Sequence, residues 1–206
     1  AAPRGAMAAV GGTLSSLRAW LGRHGVDTAR YGTGRAKPLA SLLREVRREE
    51  SRLEADACGR AVRHVRVVQL LVRNASGDVL VEDSQVLPNG LSRRRGLLPS
   101  EKLLGPECAL EGAARCAREE LGPAVAPGAA ELSVRGDTLR SRTARLGESP
   151  SYPGLATCYE LSVVEVDVPG LPQGPFETVE AEGGGELRSS WRWAGEAPGG
   201  AGGGCG

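Results

Sequence analysis

EKLLGPECALEGAARCAREELG, residues 101–122, is the stretch of this 206-residue chain that decides the predicted fold. Its apolar residues recur at three- and four-residue steps, which is the spacing of one face of an α-helix. The Gly-Pro-Glu triplet at 105–107 is typical of a helix start, because proline is tolerated in the first turn and a carboxylate suits the positive end of the helix dipole. The Gly-Pro pair at 122–123 is a stop signal. The stretch therefore predicts one amphipathic helix that follows a loop.

Carboxylates gather on the other face of this predicted helix. Glu119 and Glu120 lie three and four residues after Cys116, so the three side chains are expected to share that face. Clustered carboxylates repel each other unless a cation lies between them, and their hard oxygen atoms suit Mg²⁺ or Mn²⁺. Such an ion polarises a phosphoryl oxygen and helps to deprotonate a water. The alternative is a solvated helix whose glutamates pair with Arg115, and the helix pattern alone favours that alternative.

The same stretch resembles the Nudix box. That motif reads Gly, five residues, Glu, seven residues, Arg-Glu, a bulky apolar residue, any residue, Glu-Glu, any residue, Gly, and a bulky apolar residue. Aligned without gaps, the matching positions are Glu107, Arg115, Glu119, Glu120 and Gly122. The departing positions are Glu101 for the opening Gly, Cys116 for the Glu after the Arg, Ala117 for the inner bulky residue, and Pro123 for the final one. The chain is thus similar to Nudix-like proteins with a degenerate box.

The resemblance implies an α+β fold of the Nudix type, an α/β/α sandwich around a mixed sheet, for residues 61–194. It implies Mg²⁺-dependent (or Mn²⁺-dependent) hydrolysis of a nucleoside diphosphate linked to another moiety, so the expected small-molecule partner is nucleotide-like. The metal ligands that it implies are Glu119, Glu120 and Glu107. The catalytic residues that it implies are Glu120, Glu119 and Arg115, with the arginine orienting the carboxylates by ion pairing.

Three candidate substrate-binding residues lie outside the box. Arg94 and Arg95 belong to a basic cluster shortly before it, where a guanidinium is suited to contact a phosphate. The alternative is a solvated strand, which three arginines alone slightly favour. Tyr152 lies downstream, where Nudix proteins often build the ligand pocket, and ordinary packing is its alternative.

Cys116 leaves the activity open, because a thiol is a poor substitute for a carboxylate toward Mg²⁺ and Nudix hydrolases normally use this position as a metal ligand. One hypothesis is a pyrophosphohydrolase in which Glu119 and Glu120 still bind the metal. The other is a catalytically silent Nudix-fold scaffold, or a subunit of a larger organellar complex, in which the box helix survives as structure. A sensor that binds a nucleotide without cleaving it is a third hypothesis.

Composition bounds the classes of function. The 26 basic and 25 acidic residues give a net charge of +1, which indicates neither a nucleic-acid nor a membrane partner. Five cysteines without a CxxC pair and two histidines argue against a zinc site, a disulfide framework and a Cys-His or Ser-His-Asp centre. A reducing intracellular compartment is expected, and a mitochondrion or plastid if the small-residue-rich segment 1–12 is a processed remnant.

Two helices are predicted within an N-terminal extension, residues 13–60. The first covers Thr13–Arg23, and the second runs from Pro38 to about Cys58. Their apolar faces either cover the core or dock a protein partner, and we favour packing. Strands are predicted at 62–72 and 79–87, and a hairpin turn at 88–90 precedes a return strand at 91–98. The Gly-rich tail, residues 195–206, is predicted to be disordered.

Overall fold

The computed structural model describes residues 12–146, 149–182 and 185–195. The predictions of a processed N-terminus and of a disordered tail fall almost entirely on residues outside these ranges. The described part of the chain combines α-helices with β-sheets, so the α+β fold class predicted from the sequence is confirmed. None of its helices is long and apolar enough to cross a bilayer.

The helices are α1 (Leu14–Arg23), α2 (Leu39–Arg47) and α3 (Ala109–Cys116), and α3 continues as a π-helical turn (Ala117–Leu121) and a 3₁₀ turn (Gly122–Ala124). The strands are β1 (Arg52–Ala55), β2 (Ala61–Leu71), β3 (Val79–Val86), β4 (Ser92–Leu97), β5 (Ser100–Lys102), β6 (Ser133–Leu146), β7 (Ala156–Asp167), β8 (Phe176–Glu182) and β9 (Gly185–Ala194).

The chain divides into two compact units. Unit 1 consists of residues up to Val67, Lys102–Glu107 and Ser141–Leu161, and unit 2 consists of Val68–Glu101, Cys108–Arg140 and the residues from Ser162 onward. The domain boundary predicted at residue 60 stays a prediction.

The two N-terminal helices pack into the core of unit 1. Thr13 caps α1, because its hydroxyl accepts the Ser16 amide while the Ser16 hydroxyl accepts the Thr13 amide, both at 3.1 Å. The apolar stripes of α1 and α2 share one cluster with a residue each of β1 and β2 and with the turn before β7. Its members are Leu17, Trp20, Leu21, Val26, Leu39, Leu42, Leu43, Val46, Leu53, Ala61, Tyr152 and Leu155. The two predicted helices are therefore present, and their apolar faces are buried.

The second helix is shorter than the sequence predicts. α2 ends at Arg47, and the amides of Glu50 and Ser51 both bond to the carbonyl oxygen of Glu45, at 2.9 and 3.3 Å. Glu49, the residue before these two, has a φ of 57°, which no α-helical residue adopts. The chain then enters β1, so the prediction of a helix to about Cys58 is wrong. Charged residues after Arg47 interrupt the apolar stripe that would hold further helical turns against the core.

Two sheets are formed. One is five-stranded, in the order β1-β2-β7-β6 with β5 also paired to β2. The other is four-stranded, in the order β4-β3-β9-β8, and lies within unit 2. The predicted hairpin joins β3 to β4, with the Leu87 amide bonded to the Leu91 carbonyl at 2.9 Å and a φ of 79° at Gly90. Such a φ favours glycine, which explains why the Pro-Asn-Gly signal identified this turn correctly.

Candidate functional site

The helix that carries the box begins later than the sequence predicts. α3 starts at Ala109 with Cys108 as its N-cap residue, and the Glu111 carboxylate accepts the Cys108 amide at 2.8 Å. The start predicted at the Gly-Pro-Glu triplet is therefore wrong, because a carboxylate three residues after Cys108 closes a capping box there. Glu107 lies in the preceding loop, where its carboxylate accepts a loop amide at 3.0 Å. Glu107 thus supports the loop, and its role as a metal ligand stays a prediction.

The helix changes pitch where the box glutamates lie. After Cys116 the chain forms a π-helical turn, closed by a hydrogen bond from the Gly122 amide to the Ala117 carbonyl. Single π-turns are rare and are frequent at functional sites. Because a π-turn holds more residues than an α-turn, the side chains that follow Cys116 do not keep the positions that α-helical spacing predicts.

Glu119 faces solvent. Its side chain is 56% exposed, and Nη1 of Arg115 donates to its Oε2 at 3.0 Å. Exposed ion pairs four residues apart on a helix contribute only about 0.3–0.5 kcal/mol. The pair therefore matches the solvated-helix alternative at this one position, and the catalytic and metal-binding roles of Glu119 and Arg115 stay predictions.

Glu120, by contrast, is half-buried within unit 2. Burial raises the pKa of its carboxyl well above the usual range, and the charges of Glu101, Glu82 and Glu180 raise that pKa further. The Arg95 guanidinium opposes the rise. Glu120 therefore lies among like charges that one arginine offsets only in part.

These four carboxylates, which we call the acidic cluster, come from four elements of unit 2. They are Glu82 of β3, Glu101 of β5, Glu120 of the π-helical turn and Glu180 of β8. β8 packs against the π-helical turn. Glu82 is buried and accepts hydrogen bonds from Arg95 Nε at 2.8 Å and from Ser189 Oγ at 2.9 Å. The sequence prediction missed Glu82 and Glu180, and a carboxylate inside the apolar run of β3 was the available signal.

Cys116 lies next to the acidic cluster and is fully buried. Burial raises the pKa of its thiol well above the usual value, and the charges of Glu120 and Glu101 add to the rise. The thiol is therefore protonated at neutral pH and does not replace a carboxylate ligand. Because Cys116 is in the core and Glu119 is in solvent, the shared face predicted for these two residues is wrong.

The donor chemistry of the acidic cluster suits a divalent cation. Carboxylate oxygens are the ligands that Mg²⁺ and Mn²⁺ prefer, and a cation would relieve the repulsion that raises the pKa of Glu120. Among the residues that the structure describes, no group of three or more His, Cys, Asp or Glu side chains is close enough together to hold a metal ion. A cation would therefore have to draw these carboxylates together as it binds.

The two arginines predicted to bind substrate differ in position. Arg95 is partly buried and paired with Glu82, so it belongs to the surroundings of the acidic cluster. Arg94, the adjacent residue of β4, has a side chain that is 90% exposed and lies 3.8 Å from Asp83. Successive side chains of a strand point to opposite faces, which explains the difference. Arg94 is thus available to a solvent-borne phosphate, whereas Arg95 is occupied.

Tyr152, the third predicted substrate-binding residue, lies in the core of unit 1. Its hydroxyl donates to Glu45 Oε1 at 2.9 Å, and the Arg63 guanidinium stacks 5.0 Å from its ring centre. Arg63 Nη2 donates to Glu45 Oε2 at 2.7 Å, and Lys102 Nζ lies 2.8 Å from Oε1. In this structure Tyr152 is a member of a buried polar network, and substrate binding by it stays a prediction.

The charge of Glu45 is stabilised by that network. Burial by itself raises the pKa of the Glu45 carboxyl, but the charges and hydrogen bonds of Arg63 and Lys102 outweigh burial and lower the pKa to about 2. The sequence prediction missed this network. The signal was a glutamate between Leu43 and Val46 on the apolar side of α2, which a buried cation has to balance.

Comparison with known proteins finds likeness among solved structures alone, since no family model and no curated protein matches the chain. An Ap4A hydrolase from C. elegans, solved as a binary complex, is 14% identical, covers 63% of this chain and 79% of its own, and has a TM-score of 0.32. The MutT protein from Methanosarcina mazei Go1 is 20% identical, with coverages of 64% and 76% and a TM-score of 0.31.

The third structure, the Nudix hydrolase RenU from M. smegmatis, is 22% identical, with coverages of 62% and 68% and a TM-score of 0.29. These three proteins are Nudix hydrolases, the family that the box resembles. Because the TM-scores are close to 0.3, no site residue is transferred from these structures, and the assignments above rest on the residues of this chain.

Proposed function

We propose that unit 2 carries a Nudix-type pyrophosphohydrolase site that cleaves a nucleoside diphosphate linked to another moiety, with Mg²⁺ or Mn²⁺ as cofactor. One observation carries the proposal: burial, together with the charges of Glu101, Glu82 and Glu180, raises the pKa of the box residue Glu120. Negative charges gathered at the box helix repel each other, and a bound cation would relieve that repulsion. The acidic cluster therefore supports a metal-binding role better than a purely structural one.

The residues of the cluster have separate roles in this proposal. Glu120, Glu101 and Glu180 would hold the cation, and Arg95 with Ser189 fixes the orientation of Glu82 beside them. A cation held there would polarise a phosphoryl oxygen and lower the pKa of a bound water. Glu120 is also the candidate general base, because its carboxylate could accept a proton from the attacking water beside the cation.

Substrate contact by Arg94 stays a prediction. Its exposed side chain lies on the face of β4 opposite to that of Arg95, which belongs to the surroundings of the acidic cluster. Arg115 pairs with the exposed Glu119, which supports a positioning role for the arginine toward that carboxylate. Glu107 supports the loop before α3.

A second candidate function is a catalytically silent Nudix-fold scaffold. The buried, protonated thiol of Cys116 favours it, because this side chain offers no carboxylate at a box position. In that case the box helix serves packing, and Glu119→Gln and Glu120→Gln leave folding and partner binding intact.

Phosphate release from a panel of nucleoside-diphosphate compounds, measured with Mg²⁺ and then with Mn²⁺, separates the two functions. We expect turnover by the wild type, loss of about 100-fold or more in Glu120→Gln, and a smaller loss in the matched exposed variant Glu119→Gln. Circular dichroism of each variant verifies that it is folded.

Inert wild type and inert Glu120→Gln, both folded, would overturn the hydrolase proposal. If Cys116→Glu then gains activity, the protein has lost its catalytic activity but has kept the substrate pocket. If that variant is folded and also inert, the scaffold function stands.

A further inference from the structure

A groove of about 850 Å³ lies on the surface of unit 1, between the first turn of α1 and one side of α2. The residues that line it are Thr13, Leu14, Ser15, Ala40, Leu43, Arg44, Arg47 and Arg48. This groove is separate from the acidic cluster of unit 2, and no step of the proposed hydrolysis uses it.

The groove combines an apolar floor with a basic rim. Leu43 and Ala40 supply apolar surface, and Leu14, which also lines the groove, is 45% exposed. A large apolar side chain left in solvent beside a concave apolar surface is typical of a protein contact. The groove therefore has the composition of an interface, whose centre is apolar and whose rim is polar.

Three arginines form the rim, at positions that α-helical spacing brings to one side of α2. Arg44 donates to Ser41 Oγ at 3.3 Å, Arg47 donates to the carbonyl oxygen of Gly12, and Arg48 lies 3.2 Å from Glu50. Among the described residues that line the groove, none is acidic. The rim is thus a concentration of positive charge that the groove itself does not neutralise.

The charge of the whole segment agrees with that of the groove. Residues 12–48 contain eight Lys or Arg and two Asp or Glu, a net of +6, in a chain whose net charge is +1. One of the two acidic residues is Glu45, which is buried in the network with Arg63 and Lys102. The surface of this segment is therefore strongly basic, while the rest of the chain compensates for it.

We propose that this groove is the docking site for an acidic amphipathic helix of a partner protein. Leucine-sized side chains of the partner would enter the apolar floor, and its carboxylates would pair with Arg44, Arg47 and Arg48. Nucleic acid fits less well, because no aromatic side chain lines the groove for base stacking. Residues 1–11 fit less well too, since they carry one arginine and no acidic residue.

The test uses the full chain and a synthetic helical peptide with leucines at i, i+4 and i+7 and glutamates on its other face. Fluorescence anisotropy measures its affinity, with a scrambled peptide of the same composition and a single-stranded oligo-uridine RNA as comparisons. The groove variant is Arg44→Gln/Arg47→Gln. The control variant is Arg18→Gln/Arg30→Gln, which removes the same charge from exposed arginines of the same segment that do not line the groove. A third variant, Leu14→Gln, tests the apolar contact.

We expect saturable binding of the amphipathic peptide that weakens by about tenfold or more in the groove variant and in Leu14→Gln, and stays within about twofold in the control variant. Equal losses in both double variants would show attraction by net charge alone and overturn the proposal. So would the absence of any preference for the amphipathic over the scrambled peptide. Tighter binding of RNA, insensitive to Leu14→Gln, would assign the groove to nucleic acid. Self-association in sedimentation that the groove variant abolishes would assign it to a second copy.

Discussion

Glu119 and Glu120 are neighbours in sequence and lie in opposite surroundings. Glu119 is exposed and paired with Arg115, whereas Glu120 is half-buried among like charges. The two glutamates are adjacent positions of the Nudix box. Their environments differ, and the proposed chemistry therefore belongs to Glu120. At the scale of single residues, function and stability therefore oppose each other at this position.

Replacing Glu120 by Gln should stabilise the fold while it removes activity. The folded-state pKa of Glu120 is raised above the usual 4.5, so its contribution to stability is full below pH 4.5 and is lost as the pH rises through the folded-state value. The ionised form therefore costs stability at pH 7–8, and Gln, which cannot ionise, avoids that cost.

Thermal unfolding at several pH values, with and without Mg²⁺, checks this expectation. The melting temperature of Glu120→Gln should exceed that of the wild type by a few degrees at pH 8 and by little at pH 4. Added Mg²⁺ should stabilise the wild type more than the variant. A variant that is less stable than the wild type at pH 8 contradicts the crowding of carboxylates around Glu120.

At the scale of elements, the ends of helices decide where functional residues lie. The π-helical turn after Cys116 turns Glu119 to solvent, and the early end of α2 at Arg47 makes room for β1. Glu49 is the residue that stops α2, since it is the one non-glycine residue with positive φ in the described ranges. An L side chain pays about 1 kcal/mol for that conformation.

Glu49→Gly should therefore stabilise unit 1, because glycine adopts a φ of 57° without the steric cost. The expected gain is about 0.5–1 kcal/mol, less the entropy that glycine adds to the unfolded chain. Chemical denaturation measures the free energy of unfolding. The matched control is Glu50→Gly, which should lower stability because Glu50 lies 3.2 Å from Arg48 and 3.5 Å from Lys102. If Glu49→Gly loses as much free energy of unfolding as the control, the positive φ of Glu49 does not cost stability.

At the scale of the whole molecule, each unit has its own buried charges, and these are compensated in different ways. Glu45 of unit 1 has two cations and a tyrosine hydroxyl within hydrogen-bond distance. In the acidic cluster of unit 2, the Arg95 guanidinium opposes the rise in the pKa of Glu120 without cancelling it. A buried carboxylate whose charge is balanced by cations and hydrogen bonds stabilises the fold. Carboxylates that repel each other are suited to bind a cation.

Acid should destabilise the protein through Glu45. Its folded-state pKa of about 2 is below the unfolded value of 4.5, so the stability that it contributes is full above pH 4.5 and is lost as the pH falls toward 2. The loss is on the order of 3 kcal/mol. Glu45→Gln should cost roughly 3–5 kcal/mol at pH 7, since it leaves Arg63 buried without its counter-charge.

Urea unfolding at pH 7 and pH 3 measures both effects, with Glu54→Gln as the control. Glu54 is partly exposed and pairs with Arg52 and His64, so its replacement should cost under about 1 kcal/mol. The difference in the free energy of unfolding between the wild type and Glu45→Gln should be smaller at pH 3 than at pH 7. If the two variants lose the same free energy of unfolding at pH 7, Glu45 is not a buried, ionised carboxylate.

The box stretch and the short β-elements could be read from the sequence, because their signals are local. Helical spacing identified α3, and Pro-Asn-Gly identified the β3–β4 turn. The same local signals failed at element ends. α3 begins later than predicted, because Glu111 caps the helix at Cys108. α2 ends earlier than predicted, because charged residues follow Arg47.

The secondary-structure elements, the Nudix resemblance and the loss of a box carboxylate at Cys116 were predictable from the sequence, because each depends on residues close together in the chain. The contacts between side chains that are distant in the chain became clear only in the folded protein. Tyr152 bonds to Glu45 across 107 residues, and Ser189 bonds to Glu82 across the same separation. Periodicity carries no information about such distant partners, since the pairing of strands and the burial of a charge are settled only when the chain has folded.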